Sequence, residues 1–179
     1  SIKSQTCKKS TNNSHPKSPN YNKRSDEISL IVIHAISLPP SNYGSKNIDK
    51  FFLNKLDPSE HAYFEEIINL KVSAHFLIER TGILKQFVST EDRAWHAGES
   101  SFNGKDDCND FSIGIELEGT EDSEFEEAQY SRLIKLTQTL MKKYPKINKD
   151  RIVGHSFIAP GRKFDPGKFF DWEYFKSEI

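Results

Sequence analysis

The sequence predicts a single α/β domain with one mixed central β-sheet flanked by helices. Nearly continuous apolar runs such as 28–33 are too short for typical helices and indicate strands buried on both faces. Apolar residues at helical spacing, as in the stripe over 130–144, interleave with these runs, which favours an α/β fold. The length of 179 residues suits one domain with a substantial core, and no internal repeat is visible.

Composition and charge narrow the class of protein. The chain has 25 Lys and Arg against 26 Asp and Glu, without the basic excess expected of proteins that bind nucleic acid or anionic membranes. No apolar run approaches the length of a membrane span, and the N-terminus has no secretory signal pattern. Cys7 and Cys108 are expected to be free thiols in a reducing compartment rather than a disulfide pair. We therefore expect a cytoplasmic protein, and we also expect it to be a monomer.

The chain contains a predicted tail and nine predicted helices and strands. Residues 1–20 are rich in Lys, Ser, Asn and Thr, and are predicted to be a flexible tail before a domain over 21–179. The strand over 28–33 is expected to end at His34. The other predicted elements are helices over 48–56 and 62–68, strands over 72–78, 83–88, 111–117 and 151–155, a long helix over 130–144, and a closing helix over 170–179.

Three local patterns refine this prediction. Apolar and polar residues alternate along 111–117, which indicates a strand with one apolar face. Ser123 and Glu126 form a capping-box pattern before the long helix. Residues 90–109 are predicted to be a long loop, and long ordered loops on compact domains are usually functional.

Two histidines and one aspartate are candidates for a metal site. His34 and His155 each follow an apolar strand, and Asp165 lies in the turn-rich loop after His155. Imidazole nitrogen and carboxylate oxygen suit zinc, and three protein ligands with one open position form the usual catalytic arrangement. Each histidine could alternatively be structural. We interpret His75 as structural, and neither His15 in the tail nor His61 on a helix surface is a favoured ligand.

Six further residues are candidates for catalysis or substrate binding. Glu116 is predicted to be the general base, because the small residues at 112 and 114 on its face of the strand leave room for a substrate. Glu118 is the alternative base. Lys163 could place a cation near a developing oxyanion. Trp95 could stack on a sugar or pack in the core, and His96 could line a cleft or be structural. Tyr63 could donate a proton, but packing is favoured.

Five segments follow one another along the chain: residues 33–40, 72–75, 93–98, 108–120 and 154–167. Together they resemble the zinc amidases that recycle bacterial cell wall, and the likeness runs from about residue 19 to the end. The resemblance implies a fold like the peptidoglycan-recognition and phage-lysozyme amidases. It also implies cleavage of the amide between anhydro-N-acetylmuramic acid and L-alanine of a muropeptide. By the same resemblance, the zinc ligands are His34, His155 and Asp165, and the catalytic pair is Glu116 and Lys163.

Three positions depart from the family pattern or bear on its peptide contacts. Ala35 stands where close relatives often have asparagine, which would weaken a hydrogen bond to the sugar's acetamido group. Basic residues at 71 and 107 would suit a diaminopimelate carboxylate. Lys71 is basic, whereas Asp107 is acidic. Trp95, His96 and Lys71 are the predicted substrate contacts.

Three other functions compete with a cytoplasmic amidase. A non-catalytic peptidoglycan-binding member of the fold would characteristically lack a metal ligand, and all three ligands are present. A non-haem iron oxygenase also uses two histidines and one carboxylate, but no second constellation for a cosubstrate is visible. A periplasmic amidase would need an export signal.

Overall fold

The computed structural model of the protein describes residues 17–179. Its β-strands are β1 (Tyr21–Lys23), β2 (Leu30–Ile36), β3 (Phe76–Ile78), β4 (Leu84–Gln86), β5 (Asp92–Ala94), β6 (Ser101–Phe102), β7 (Lys105–Asp106), β8 (Ser112–Glu118) and β9 (Ile152–Gly154). Its α-helices are α1 (Asn47–Phe52), α2 (Ala62–Ile67), α3 (Glu127–Lys143), α4 (His155–Ile158) and α5 (Trp172–Glu178). Short 3₁₀-helices span Cys108–Asp110 and Lys149–Arg151.

The central sheet has five strands in the order β4-β3-β8-β2-β9. Strands β3, β8, β2 and β9 are parallel, and β4 pairs antiparallel with β3 at one edge. The longest pairing joins β2 to β8, with Leu30 opposite Ser112 and His34 opposite Glu116. This register brings two polar side chains together in the middle of a buried sheet.

Helices and loops bury the sheet in three apolar clusters. One cluster packs α3 and α5 against the sheet and includes Ile33, Ile115, Leu133 and Phe175. A second joins α1, α2 and the segment around Phe87. A third includes residues of β2, β6 and α4. The branched and aromatic side chains of the strands are therefore covered on both faces, which explains their continuous apolar runs.

The structure confirms the predicted single α/β domain with a mixed sheet and flanking helices. Several boundaries differ. His34 lies within β2 rather than at its end, and His75 lies just before β3. The predicted loop over 90–109 contains three short strands and the start of a 3₁₀-helix.

One prediction about local pattern was wrong. The capping box at α3 is formed by Glu126 and Gln129, not by Ser123 and Glu126. The strand predicted from the alternation along 111–117 is present as β8, but its second face is covered as well, and all seven residues of β8 are buried. The cause is that the neighbouring segment around His96 covers this face, so its polar residues contact other protein groups.

The packed structure begins slightly before the predicted domain boundary at residue 20. Ser18 and Asn20 are buried, and Asn20 Nδ2 donates to the carbonyl oxygen of Val72 at 2.8 Å. The rest of the predicted tail, with Cys7 and His15, lies outside the described residues. Within 17–179, Cys108 is a buried free thiol, and no helix is both long and apolar enough to cross a membrane.

Candidate active site

The three predicted metal ligands lie on three different segments, and their side chains meet beside the central sheet. His34 projects from β2, and His155 is the first residue of α4, directly after β9. Asp165 lies in the following loop, which is tied back because the Ser156 amide donates to the Asp165 carbonyl at 3.0 Å. The amide of Ala35 also donates to Asp165 Oδ2 at 3.2 Å. The strands and these backbone contacts hold the three side chains in place.

The ligand atoms of these residues are close enough to share one ion. His34 Nδ1 lies 3.0 Å from His155 Nδ1 and 3.4 Å from Asp165 Oδ2. His155 Nδ1 lies 3.2 Å from Asp165 Oδ1. One donor atom from each residue lies within 4.8 Å of the other two. The set of two imidazoles and one carboxylate suits zinc with an open position.

The outer nitrogens of both histidines contact protein groups. His155 Nε2 lies 2.9 Å from the carbonyl oxygen of Ala97, and His34 Nε2 lies 2.9 Å from His96 Nδ1. The Nδ1 atoms are thus the ones directed to the shared point. This orientation is the one that metal-binding histidines adopt when a second group holds the outer nitrogen.

Burial and charge set the protonation states at the site. Burial lowers the pKa of His34 to about 4, so its imidazole is neutral at neutral pH, as a metal ligand must be. Burial opposes ionisation of Asp165, but hydrogen bonds with His155 and His34 outweigh it and hold the Asp165 pKa well below its usual range. The site therefore presents a neutral imidazole at His34 and an ionised carboxylate at Asp165.

Glu116 lies beside the ligands but has a different electrostatic character. Its side chain is buried, and Oε1 lies 3.7 Å from His34 Nδ1. Burial and the neighbouring Asp165 raise the pKa of Glu116 well above its ordinary value. Oε2 is buried and has no hydrogen-bond partner among residues 17–179. A buried carboxylate oxygen without a partner is costly, which is typical of a group that functions with a substrate, water or ion.

A cavity of about 490 Å³ opens over this site. His34, His96, Glu116, His155, Lys163 and Asp165 line it together with an apolar part formed by Leu38, Phe51, Phe52, Tyr63, Ile67 and Val72. All five predicted ligands and catalytic residues are therefore brought together at one cleft. A cleft with converging polar groups and perturbed pKa values is the usual place of an active site.

The predicted substrate contacts are placed differently from one another. His96 lines the cavity but is buried, and both of its ring nitrogens contact protein groups. Trp95 and Lys71 are not among the described residues that line the cavity. The indole nitrogen of Trp95 donates to Asn22 Oδ1 at 3.0 Å, and Lys71 is exposed next to Val72.

The alternatives left open by the sequence have clear positions in the structure. Glu118 accepts the amides of Gly44 and Arg80, each at 3.0 Å, so its carboxylate holds loops and is poorly placed to act as the base. His75 Nδ1 accepts the amide of Gly114 at 3.0 Å, which supports a structural role. Asp107 lines a separate cavity beside Arg162.

Sequence reasoning missed two buried polar residues beside the site. Ser112 Oγ lies 3.1 Å from His96 Nε2. Asn109 Oδ1 accepts the amides of both His96 and Ala97. The small residues at 112 and 114 were predicted to leave room for substrate, whereas the His96 ring fills that room. The small residues at 112 and 114 signalled that space exists beside the strand, but only the tertiary structure shows that the His96 ring fills it.

The fold and this site define a class of proteins: single-domain α/β proteins with a candidate His-His-Asp metal centre beside a carboxylate. Residues 24–168 match the Amidase_2 family, described as N-acetylmuramoyl-L-alanine amidase. The chain belongs to this family, and it is therefore an enzyme that hydrolyses amide bonds.

Similarity to individual proteins extends over nearly the whole chain. The chain is 56% identical over 164 residues to the 1,6-anhydro-N-acetylmuramyl-L-alanine amidase AmpD of Haemophilus influenzae. The alignment covers 90% of this chain and 89% of that protein. The chain is 49% identical over 161 residues to AmpD of Escherichia coli K12, over 89% of this chain and 87% of that protein. A crystal structure of selenomethionine-substituted AmpD has a TM-score of 0.89 at 48% identity, over 91% of this chain and 92% of that chain.

Proposed function

We propose that this protein hydrolyses the amide bond between 1,6-anhydro-N-acetylmuramic acid and L-alanine, in the recycling of muropeptides, with one zinc ion bound by His34, His155 and Asp165. One observation carries the proposal most directly. Three ligand atoms lie within 4.8 Å of one another, and the unpartnered Oε2 of Glu116 is buried beside them. The similarity to AmpD enzymes supports the substrate class.

The metal and Glu116 have complementary tasks in this proposal. Bound zinc lowers the pKa of water and polarises a carbonyl. Glu116 takes the proton of the attacking water and delivers it to the leaving amine of L-alanine. A general base must be ionised to take a proton and protonated to give it back. A raised pKa brings both states of Glu116 closer to neutral pH.

Lys163 is proposed to stabilise negative charge on the scissile carbonyl oxygen. It is exposed at the cleft and lines the same cavity as the ligands. Its charge is close enough to favour ionisation of Glu116 and to oppose protonation of His34. A cation placed where charge develops lowers the barrier of acyl transfer.

We propose substrate contacts beyond the scissile bond at three further residues. Lys71 is exposed near the cleft residue Val72, and its ammonium group could pair with a carboxylate of the stem peptide. Trp95 could contact the sugar only at the outer rim, since its indole already donates to Asn22. A ring contact from His96 would leave its hydrogen bonds intact.

We also propose that the enzyme acts in the cytoplasm as a monomer, without nucleic-acid or membrane partners. The buried thiol of Cys108 suits a reducing compartment. The nearly balanced charge of the chain supports the absence of polyanionic partners. Fractionation of cells and sedimentation of the purified protein would test these two points.

The decisive experiment combines metal analysis with a mass-spectrometric assay on an anhydromuropeptide. We expect one zinc per chain, release of the free peptide, loss of activity with a chelator, and recovery when zinc is restored. The same assay with ordinary N-acetylmuramyl peptide measures the preference for the anhydro sugar. Full activity in protein freed of metal would contradict the proposal.

A further inference from the structure

The outer nitrogens of both candidate histidine ligands converge on one dipeptide, His96-Ala97. His34 Nε2 lies 2.9 Å from His96 Nδ1. His155 Nε2 lies 2.9 Å from the carbonyl oxygen of Ala97. The dipeptide follows β5 and is buried. One short segment therefore contacts both ligands on the side away from the shared metal point.

The hydrogen-bond partners decide which nitrogen of each ligand carries a hydrogen. A carbonyl oxygen only accepts, so His155 carries a hydrogen on Nε2, and in its neutral form it offers the lone pair on Nδ1 to a metal. His34 differs because its partner, His96 Nδ1, can either accept or donate. Only the arrangement in which His34 donates from Nε2 leaves a lone pair on its Nδ1 for a metal.

The surroundings of His96 give its ring one position. Its Nε2 lies 3.1 Å from Ser112 Oγ. The ring packs on the backbone of Gly114, where a β-carbon would lie 2.4 Å from the ring's Cγ atom. The amides of His96 and Ala97 donate to Asn109 Oδ1 at 3.1 and 2.8 Å. A serine oxygen, a glycine and one asparagine oxygen thus hold the dipeptide in place.

We propose that His96 is a positioning residue for the metal. Its Nδ1 accepts the Nε2 hydrogen of His34, its own Nε2 hydrogen goes to Ser112, and Asn109 holds the dipeptide that orients both ligands. This inference rests on the proposed zinc site. Partners that receive the outer hydrogen of a ligand histidine fix its tautomer and ring orientation, and their loss typically lowers metal affinity or activity about 10–100-fold.

The choice of an imidazole as acceptor has a consequence for charge. Many ligand histidines donate to a carboxylate, which would add a negative charge to this buried site. Asp165 and Glu116 already supply two carboxylates next to His34. A neutral imidazole fixes the tautomer of His34 without further charge. A third buried carboxylate would raise the pKa of Glu116 further.

A matched pair of variants tests the acceptor at His96. Asparagine and leucine have nearly the same shape, and the asparagine Oδ1 stands near the place of the histidine Nδ1. We expect His96→Leu to lower zinc affinity about 10–100-fold, measured by competition with a chromophoric chelator. His96→Asn should recover most of it. At Asn109, replacement by leucine should weaken zinc binding more than replacement by aspartate, which keeps the acceptor oxygen.

The tautomers can be measured directly in the wild-type enzyme loaded with zinc, which avoids any variant that folds poorly. Long-range ¹H–¹⁵N spectra should show hydrogen on Nε2 of both His34 and His96. Hydrogen on Nδ1 of His96, or unchanged zinc affinity in a folded His96→Leu variant, would overturn this inference alone. Wild-type protein that binds no zinc would overturn the proposed function as well.

Discussion

The wall of the cleft has a polar part and an apolar part, which come from different elements of the fold. The polar part comes from the central strands β2 and β8, from the start of α4 and from the loop after α4, and it contains His34, Glu116, His155 and Asp165. The apolar part comes largely from α1, α2 and neighbouring loops. Its side chains belong to an apolar cluster of the core. The polar groups therefore lie on central strands or on the segment that follows β9, while α1 and α2 give the cleft its shape.

This difference suggests a division of function between the two parts. The polar groups are held by the register of the sheet and by hydrogen bonds from the residues around them. Such fixed groups are suited to catalysis, because a catalytic step tolerates little displacement of the reacting atoms. Apolar side chains that continue into the core provide a surface for the substrate without taking part in proton transfer. Variants in the polar part should change metal binding or kcat, and variants in the apolar part should change KM.

The largest expected effect follows from removing a metal ligand. His34→Ala should lose zinc affinity and turnover together, because His34 contributes one of three ligand atoms that meet at the site. Metal analysis after dialysis and the mass-spectrometric assay measure the two losses. An active variant that retains a full equivalent of zinc would show that the ligand assignment is wrong.

The next largest effect should come from the carboxylate beside the ligands. Glu116→Gln is expected to keep zinc but to lose about 10²–10⁴ in kcat, which is the usual contribution of general acid–base catalysis. Glu118→Gln is the control on the same strand, since its carboxylate only holds the Gly44 and Arg80 amides. If Glu118→Gln lost more turnover than Glu116→Gln, the assignment of the base would be reversed.

The sequence predicted which residues form the polar part of the cleft, but it did not predict how they are arranged relative to one another. Strand patterns placed His34 and Glu116 on buried or partly buried strands. Their juxtaposition depends on the parallel register of β2 with β8, which joins segments about 80 residues apart and has no local signal. The position of His96 could not be predicted for the same reason, because its ring covers the polar face of β8 from a different segment of the chain.

Local patterns also allow more than one solution. Ser123 and Glu126 fit the capping-box pattern, but Glu126 and Gln129 fit a related one and are the pair that forms it. The prediction failed because α3 begins one turn later than the serine pattern suggests. The apolar part of the cleft was foreseen only as two helices, since their joint packing around Phe52 and Phe87 is a tertiary feature.

A moderate effect is expected on the free energy of unfolding of the metal-free protein. The pKa of Glu116 is raised in the folded protein by burial and by Asp165, so ionisation of Glu116 opposes folding above its unfolded pKa near 4.5. In chelator-treated protein at pH 7, Glu116→Gln should therefore increase the free energy of unfolding by roughly 1–3 kcal/mol, comparable to the cost of a buried unpaired group.

The pH dependence gives this prediction its sign. The penalty in the wild-type protein is complete above the raised folded pKa and disappears as the pH falls below about 4.5. Denaturant unfolding of the metal-free proteins from pH 7 to pH 4 should show the advantage of Glu116→Gln shrinking with acid. An advantage that grows with acid would mean that Glu116 is stabilised as an anion, contrary to its unpartnered Oε2.

The smallest expected effect concerns the apolar part of the cleft. Tyr63 lines the cavity, is half-buried and packs against the cluster around Phe52. Tyr63→Phe keeps the ring and should leave both kcat and KM within about twofold, whereas Tyr63→Ala removes apolar contact area and should raise KM several-fold with kcat retained. Steady-state kinetics on an anhydromuropeptide separate the two constants. A large fall in kcat for Tyr63→Phe would assign the hydroxyl a part in proton transfer, and the division between a chemical and a shaping part of the cleft would no longer hold.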